Sequence, residues 1–264
     1  MMAARGSLAR SLVIQGRVIH ALFLRETLTR YGRHNIGVLW LFAEPMMFTL
    51  LILTLWTVLK LSHVTHVPIT AFALTGYSTV LLWRNMPNRL ENSIGMHLGL
   101  MHHRNVRPID IYFARLLLEI GGATASFAFL SLAFIGIGWM DPPENILEVV
   151  AGWFLMAWFG SALAIAVGAM SELSEIFERL WHPITYILVG FSGLGFLVDA
   201  LPQNTQHYFL FVPMVNCLEI IRDGYFGSMF TAHFSVIYVL TCNAVLSLLA
   251  MFGVRVVSTR DSLE

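Results

Sequence analysis

Six long apolar runs limit the folding of this chain more strongly than any other feature. They cover residues 37–59, 68–83, 111–138, 149–170, 180–198 and 230–257. A helix that crosses a bilayer needs about 20 consecutive, mostly apolar residues. Charged residues make up 12% of the chain, against about a quarter in an average soluble domain. The sequence therefore predicts an all-α membrane protein with six transmembrane helices within residues 37–257.

The basic residues predict the orientation of these helices. If both termini are cytoplasmic, fourteen of the sixteen Lys and Arg residues lie on the inside, as the positive-inside rule requires. Only Lys60 and Arg222 remain outside, where one loop carries Asp141, Glu144 and Glu148. We therefore expect residues 1–36 and the tail at residues 258–264 to be cytoplasmic.

Residues 1–36 do not resemble a signal peptide, because arginines interrupt every apolar stretch. Arg10, Arg17 and Arg25 recur every seven or eight residues, whereas Leu22 and other apolar residues fall on another side at helical spacing. This pattern predicts an interfacial helix on anionic headgroups. The alternative is a loosely attached basic tail.

The loop at residues 84–108 is longer than a simple connection needs and contains a basic cluster. A short helix is expected near residues 90–101. The loop is either a docking element for a soluble partner or a solvated connection that its charges keep inside. Its histidines lack the spacing of metal ligands, so no metal site is predicted.

Residues 199–229 are too apolar for a free outer loop, and prolines and glycines interrupt them. Two segments, 205–211 and 215–226, are too short to span the bilayer and predict a re-entrant or interfacial helical hairpin. Backbone turns inside a membrane only where protein or water satisfies it, so such a hairpin would border a pore. The alternative is an external amphipathic cap.

Some charged residues lie within the apolar runs. Glu44 is costly there unless it faces protein or water, and we expect it to act with Pro45 as a conformational latch. Arg115 and Glu119 are four residues apart and predict an ion pair at the inner edge of the third span. The first turns of that span, with Asp110, are expected to extend into water or headgroups.

The chain lacks the phosphate-binding loop of ATPases. Its single lysine, Lys60, is not preceded by glycine anywhere in residues 53–59, which excludes that motif. An intramembrane enzyme would need a convergent catalytic set, and the pair His63 and His66 has no third ligand nearby. An ion-coupled secondary transporter would be expected to show repeated halves with buried carboxylates, and no such repeat is visible.

Three stretches occur in an order typical of one family. In the first stretch, residues 25–32 read RETLTRYG and are followed by GVLW at 37–40 and by Glu44-Pro45. In the second stretch, residues 104–110 read RNVRPID. The third stretch contains Ser192-Gly193, Leu201-Pro202 and residues 213–222. Together they resemble the membrane subunits of type-2 ABC exporters, most closely the capsular-polysaccharide export permeases of Gram-negative bacteria. One departure is Val212-Pro213, where many relatives have Asn-Pro.

The resemblance implies a homodimer in the bacterial inner membrane and two separate ABC ATPase subunits that bind ATP and Mg²⁺. It implies a coupling helix within residues 84–108, gating helices within 199–229 on the periplasmic side, and a lipid-linked polysaccharide as substrate. A periplasmic co-polymerase and an outer-membrane export partner are also expected; a cofactor in this chain and nucleic acid are not. Sibling exporters of O-antigen, teichoic acid or a lipophilic drug share this architecture and stay open.

A conduit for polysaccharide requires aromatic rings that stack on sugars and few fixed charges. Arg84 and Arg89 at the inner mouth and Arg222 at the outer gate would attract acidic groups, although topology and headgroup anchoring are equally consistent with them. The aromatic residues expected along the conduit are Trp40, Phe42, Phe48, Trp56, Tyr77, Trp83, Tyr186, Phe191 and Phe196. The residues expected to couple to the ATPase are Leu90, Glu91, His97, Met101, Arg104 and Arg107.

Overall fold

The computed structural model describes residues 8–31, 36–58, 67–95 and 106–261, without the side chains of residues 8–12, 30, 31, 36–42, 44, 45, 260 and 261. Within these ranges every regular element is helical, as the sequence predicts. Two short 3₁₀ turns, Val198–Ala200 and Gly227–Met229, separate some of the helices. The helices are α1 (Leu8–Tyr31), α2 (Ile36–Val58), α3 (Ile69–Leu90), α4 (Pro108–Gly136), α5 (Ile146–Leu173), α6 (Glu175–Phe191), α7 (Gln203–Leu210), α8 (Pro213–Phe226) and α9 (Val236–Asp261).

Three of these helices, α4, α5 and α9, are long and apolar enough to cross a membrane. The bounds of α4 and α5 lie within three residues of the predicted third and fourth spans. The 23 residues of α2 coincide with the first predicted span, and its part Met46–Val58 is apolar. The length and composition of the described helices therefore indicate a protein that crosses the membrane more than once.

The boundaries of three helices differ from the prediction by more than three residues. The sixth run was expected at residues 230–257, but α9 begins at Val236 and ends at Asp261. The fifth run was expected to begin at residue 180, but α6 begins at Glu175. The second run was expected to end at Trp83, but α3 continues to Leu90 and includes Arg84 and Arg89. The fifth run was expected to reach residue 198, but α6 ends at Phe191, where Gly193 adopts a φ of 81°. Glycine adopts this left-handed conformation at little cost and commonly ends helices. Hydropathy alone reports neither effect, because polar residues can continue a helix and a turn can interrupt an apolar run.

The core forms around α5, which packs against α3, α8 and α9. Glycines on α5 permit this close approach. A Cβ atom on Gly160 would lie 3.0 Å from the Cα of Trp83 in α3, and one on Gly152 would lie 2.7 Å from the side chain of Ile221 in α8. Small residues at helix interfaces allow the close van der Waals packing that stabilises helices in membranes.

The N-terminal helix α1 packs against α4 and α2. Leu22 is buried against Ile111 and Ala114 of α4, whereas Arg17 and Arg25 are exposed. A helix is therefore present at Leu8–Tyr31, and protein covers part of its apolar surface. Its amphipathic, interfacial role and its contact with headgroups stay predictions.

Candidate functional site

A row of three polar side chains on α8 holds together several non-helical segments. Asn216, Glu219 and Arg222 recur every three residues, so they lie along one side of the helix. All three are buried. We call these residues the α8 polar row.

Arg222 joins α8 to the end of α6. Its Nη1 atom donates to the carbonyl oxygens of Gly193 at 2.9 Å and Phe196 at 2.7 Å, and its Nη2 atom donates to that of Leu194 at 3.1 Å. The guanidinium also lies 4.1 Å from the ring centroid of Phe72 on α3. These carbonyls lie in the turn after α6, and the forked donors of a guanidinium can bind several carbonyl oxygens at once.

The other members of the row hold the loops on either side. The Glu219 carboxylate accepts the backbone N–H of Val198 at 3.4 Å and of His233 at 3.3 Å. The Asn216 side chain donates to the carbonyl of Leu210 at 2.7 Å and accepts the N–H of Ser235 at 2.9 Å. The segments before α7, before α8 and before α9 are thus all attached to α8.

The C-terminal end of α8 is fixed to the loop between α4 and α5. The N–H of Asn145 donates to the carbonyl of Gly224 at 2.8 Å, and the Tyr225 hydroxyl donates to that of Asp141 at 2.6 Å. A Cβ atom on Gly224 would lie 2.7 Å from the backbone nitrogen of Val149. Most of α8 is buried, whereas α7 buries none of its residues. The two predicted short segments are therefore helices in unlike environments.

A second polar feature lies between α3 and α6. The guanidinium carbon of Arg84 is 5.0 Å from the ring centroid of Tyr186, which is 66% exposed. Within the described part of the chain, Arg84 has no ion-pair partner, and its buried Nε has no hydrogen-bond partner. A cation beside an exposed ring can bind an acidic group while the ring stacks on an apolar surface.

The predicted conduit residues differ in exposure. Phe48 and Phe191 are exposed, and Tyr77 is half-buried. Trp56 packs 5.7 Å from Phe72, and Phe196 packs 4.8 Å from Phe209, by ring centroids.

Two other predicted conduit residues are interior in this conformation. Trp83 is fully buried and packs against Gly160. The guanidinium of Arg222 is also buried, and it donates hydrogen bonds to backbone carbonyls. The side chains of Trp40, Phe42, Glu44 and Pro45 lie outside the described residues, as do His97, Met101 and Arg104 entirely. The roles of all these residues stay predictions.

Charged residues at the opposite end of the molecule pair differently from the prediction. Arg115 lies 3.4 Å from Glu26 of α1, and Glu119 lies 3.4 Å from Arg89 of α3. The expected pair between Arg115 and Glu119 is therefore wrong, because α1 and α3 supply closer partners. Asp110 and Glu119 are buried by protein. The expected position of the first turns of α4, with Asp110, Arg115 and Glu119, in water or headgroups stays a prediction.

The ion pairs surround a cavity of about 240 Å³, which Glu91 also lines. Burial raises the pKa of the Glu91 carboxyl, the nearby His182 opposes this effect, and Glu178 adds to it. Of the predicted coupling residues, Leu90 is buried at the end of α3 and Arg107 is exposed before α4.

Asp110 begins α4 with a reciprocal cap. Its carboxylate accepts the N–H of Arg107 at 2.9 Å and the side-chain amide of Gln15 on α1. The sequence reasoning did not assign this role, nor those of Asn216 and Glu219. The sequence feature that could have identified Asn216 and Glu219 is their three-residue spacing with Arg222 on a short predicted helix.

Comparison with known proteins identifies the family. The model of the ABC-2 type transporter family matches residues 17–226. The chain is 43% identical to the capsule polysaccharide export inner-membrane protein CtrC of Neisseria meningitidis serogroup A, over 93% of this chain and 92% of the relative. It is 38% identical to the capsule polysaccharide export inner-membrane protein BexB of Haemophilus influenzae, over 93% of each chain. It is 27% identical to the polysialic acid transport protein KpsM of Escherichia coli, over 94% of this chain and 95% of the relative. Since the family model matches most of the chain and two of these relatives exceed 30% identity over nearly its whole length, the chain belongs to the ABC-2 type transporter family.

Proposed function

We propose that this chain is the transmembrane subunit of an ATP-driven exporter that moves a lipid-linked capsular polysaccharide across the bacterial inner membrane. The observation that carries the proposal is the identity of 43% and 38% to two capsule polysaccharide export inner-membrane proteins, over 93% of the chain. Family membership adds the permease role, and ATP hydrolysis belongs to separate subunits.

The proposal includes six spans with both termini in the cytoplasm. Helices α2, α3, α4, α5, α6 and α9 are the spans, and α1 is an interface helix. We propose α7 and α8 as a re-entrant hairpin on the periplasmic side. The 14 residues of α8 extend only about 21 Å, too short to span a bilayer, yet most are buried. The α8 polar row supplies the hydrogen bonds that irregular backbone needs in a membrane.

The exposure of α6 supports the proposal that two copies form a homodimer with a shared conduit. Only Trp181 and Thr185 of its 17 residues are buried, and large apolar side chains such as Ile176 and Ile187 are exposed. A cation such as Arg84 is costly against lipid. A water-filled conduit between two copies would solvate Arg84, and Tyr186 would stack on sugar rings there. Acidic groups of the polysaccharide would then bind Arg84.

Two ABC ATPase subunits would act on the cytoplasmic end, through α1 and residues 84–108. The pairs Arg115–Glu26 and Arg89–Glu119 join α1, α3 and α4, so a displacement of one helix end is carried to the others. These subunits bind the ATP and Mg²⁺, and Glu44 and Pro45 remain candidates for a latch in α2. A periplasmic co-polymerase and an outer-membrane partner would continue the route.

Deleting the gene in its native host and restoring it from a plasmid tests the proposal. The deletion strain should lose surface capsule and accumulate lipid-linked polysaccharide inside, and the restored chain should reverse both effects and co-purify with an ABC ATPase. A variant with residues 90–101 replaced by a Gly–Ser linker, verified as folded in the membrane, should restore neither. Normal surface capsule in the deletion strain, or accumulation of a different polymer, would overturn the proposal.

A further inference from the structure

A groove between α4 and α5 points to a ligand outside the transport route. We propose that it binds one acyl chain of a phospholipid whose headgroup carries an amine. The groove has a volume of about 750 Å³, within the range of about 300–1,000 Å³ common for small-molecule sites. Neither the α8 polar row nor Arg84 lines it.

Small side chains on α4 open the groove. Gly121, Ala125 and Ala128 face larger residues of α5, including Val150 and Phe154, across the gap. Because residues 121, 125 and 128 recur at helical spacing, they form one shallow strip along α4. The lining is almost entirely apolar along its length.

Stacked aromatic rings form the floor of the groove. The rings of Phe127 and Trp153 stack with centroids 4.6 Å apart and planes 10° apart. The indole N–H of Trp153 donates to the Thr124 hydroxyl at 2.9 Å, so the floor presents no unsatisfied donor from the indole. An apolar ligand fits this floor, and a polar ligand would lose hydrogen bonds to water without replacement.

The position of the groove selects an acyl chain. Both walls are helices that are long and apolar enough to cross a membrane, so lipid chains surround them. The lining residues of α4 extend from Ile120 to Ile135, a rise of roughly 20 Å. A slender acyl chain can follow the whole length of this groove.

The loop at one end of the groove selects the headgroup. Tyr225 lines the groove, and its hydroxyl donates to the carbonyl of Asp141 in this loop. Residues 137–145 include Asp141 and Glu144 but neither lysine nor arginine. Trp139 in the same loop is exposed, as interfacial tryptophans commonly are. Negative charge here favours an ammonium group and disfavours a purely anionic headgroup.

Native mass spectrometry of the full chain tests the site. The protein is reconstituted in vesicles of equal phosphatidylethanolamine and phosphatidylglycerol, then released in mild detergent. We expect the wild type to retain more phosphatidylethanolamine than phosphatidylglycerol. Ala128→Trp should reduce this retention by roughly tenfold, because losing two buried methylene contacts suffices for that change. The matched control is Ala244→Trp, at an exposed alanine of α9, which should retain lipid as the wild type does.

Asp141→Asn separates headgroup recognition from chain binding. It should reduce the preference for phosphatidylethanolamine while leaving total retained lipid nearly constant. Equal lipid retention by Ala128→Trp and Ala244→Trp, at equal melting temperatures, would overturn the proposal. So would disulfide-linked dimers formed through Ala128→Cys, which would identify a second copy as the occupant. Selective retention of the exported glycolipid in place of phosphatidylethanolamine would contradict it as well.

Discussion

Arg222 is fully buried, and backbone carbonyls hold its charge. Removing a guanidinium from water costs several kcal/mol, whereas each hydrogen bond from a charged donor returns about 1.5–3 kcal/mol. The three carbonyls lie in the turn that follows α6, and the carbonyl of Gly193 also accepts the backbone N–H of Phe196 at 3.4 Å. The residue therefore stabilises the junction of α3, α6 and α8.

Replacing Arg222 by lysine tests this role. Lysine keeps the charge but lacks the planar fork that reaches several carbonyls at once. We expect Arg222→Lys to lower the free energy of unfolding by about 3 kcal/mol, because a buried charge loses its partners. Denaturation in detergent, followed by fluorescence, measures the change.

The matched control is Arg179→Lys, whose ion pair with Glu175 is largely exposed. Such exposed pairs contribute about 0–1 kcal/mol, so this variant should unfold as the wild type does. If Arg222→Lys and Arg179→Lys have equal free energies of unfolding, the contacts of Arg222 with the carbonyls do not stabilise the protein.

At the level of elements, α1, α3 and α4 are joined by ion pairs rather than by apolar contact alone. Arg89 pairs with Glu119, and Arg115 pairs with Glu26. The Glu119 side chain is only 9% exposed, so its pair is screened less than a surface pair. These links give the proposed coupling region a defined geometry.

Exchanging the charges of Arg89 and Glu119 tests the link between α3 and α4. Arg89→Glu alone should destabilise the protein by about 3 kcal/mol, because it leaves like charges side by side near a buried site. The double variant Arg89→Glu, Glu119→Arg should recover part of that loss. A double-mutant cycle from melting curves, together with export measured in cells, gives the interaction energy. Additive effects in the cycle would show that the two residues do not interact.

For the whole molecule, the proposed homodimer depends on the exposed face of α6. Ile187 is 59% exposed on this helix, and Tyr186 beside it faces the same region as Arg84. Apolar exposure is ordinary against lipid, whereas a half-buried cation without an ion-pair partner among the described residues is costly there. The proposed second copy would enclose water beside Arg84.

Cross-linking in native membranes tests this assembly. On a background in which Cys217 and Cys242 are replaced, Ile187→Cys should give a covalent dimer with a short bismaleimide reagent. Leu248→Cys, on the outward side of α9, should stay monomeric. Dimers from Leu248→Cys and none from Ile187→Cys would assign the contact to α9 and overturn the proposed conduit.

The sequence predicted the helices better than the contacts between them. The apolar runs located α2, α4 and α5 within three residues, and the short segments located α7 and α8. The boundaries of α3 and α6 were missed because a polar helix end and a glycine turn leave mean hydropathy almost unchanged. The ion pair between Arg115 and Glu119 was wrong because sequence spacing reports only neighbours on one helix.

By itself, the sequence determined the membrane environment, the helical class and the missing nucleotide motif, since each depends on composition or local order. Only the tertiary structure decided which polar groups are buried and what they bind. Arg222 could have faced water in the sequence analysis, yet α3, α6 and α8 enclose it and supply its partners. Burial and pairing depend on which helices approach, and the packing of small residues such as Gly152 and Gly160 sets that approach.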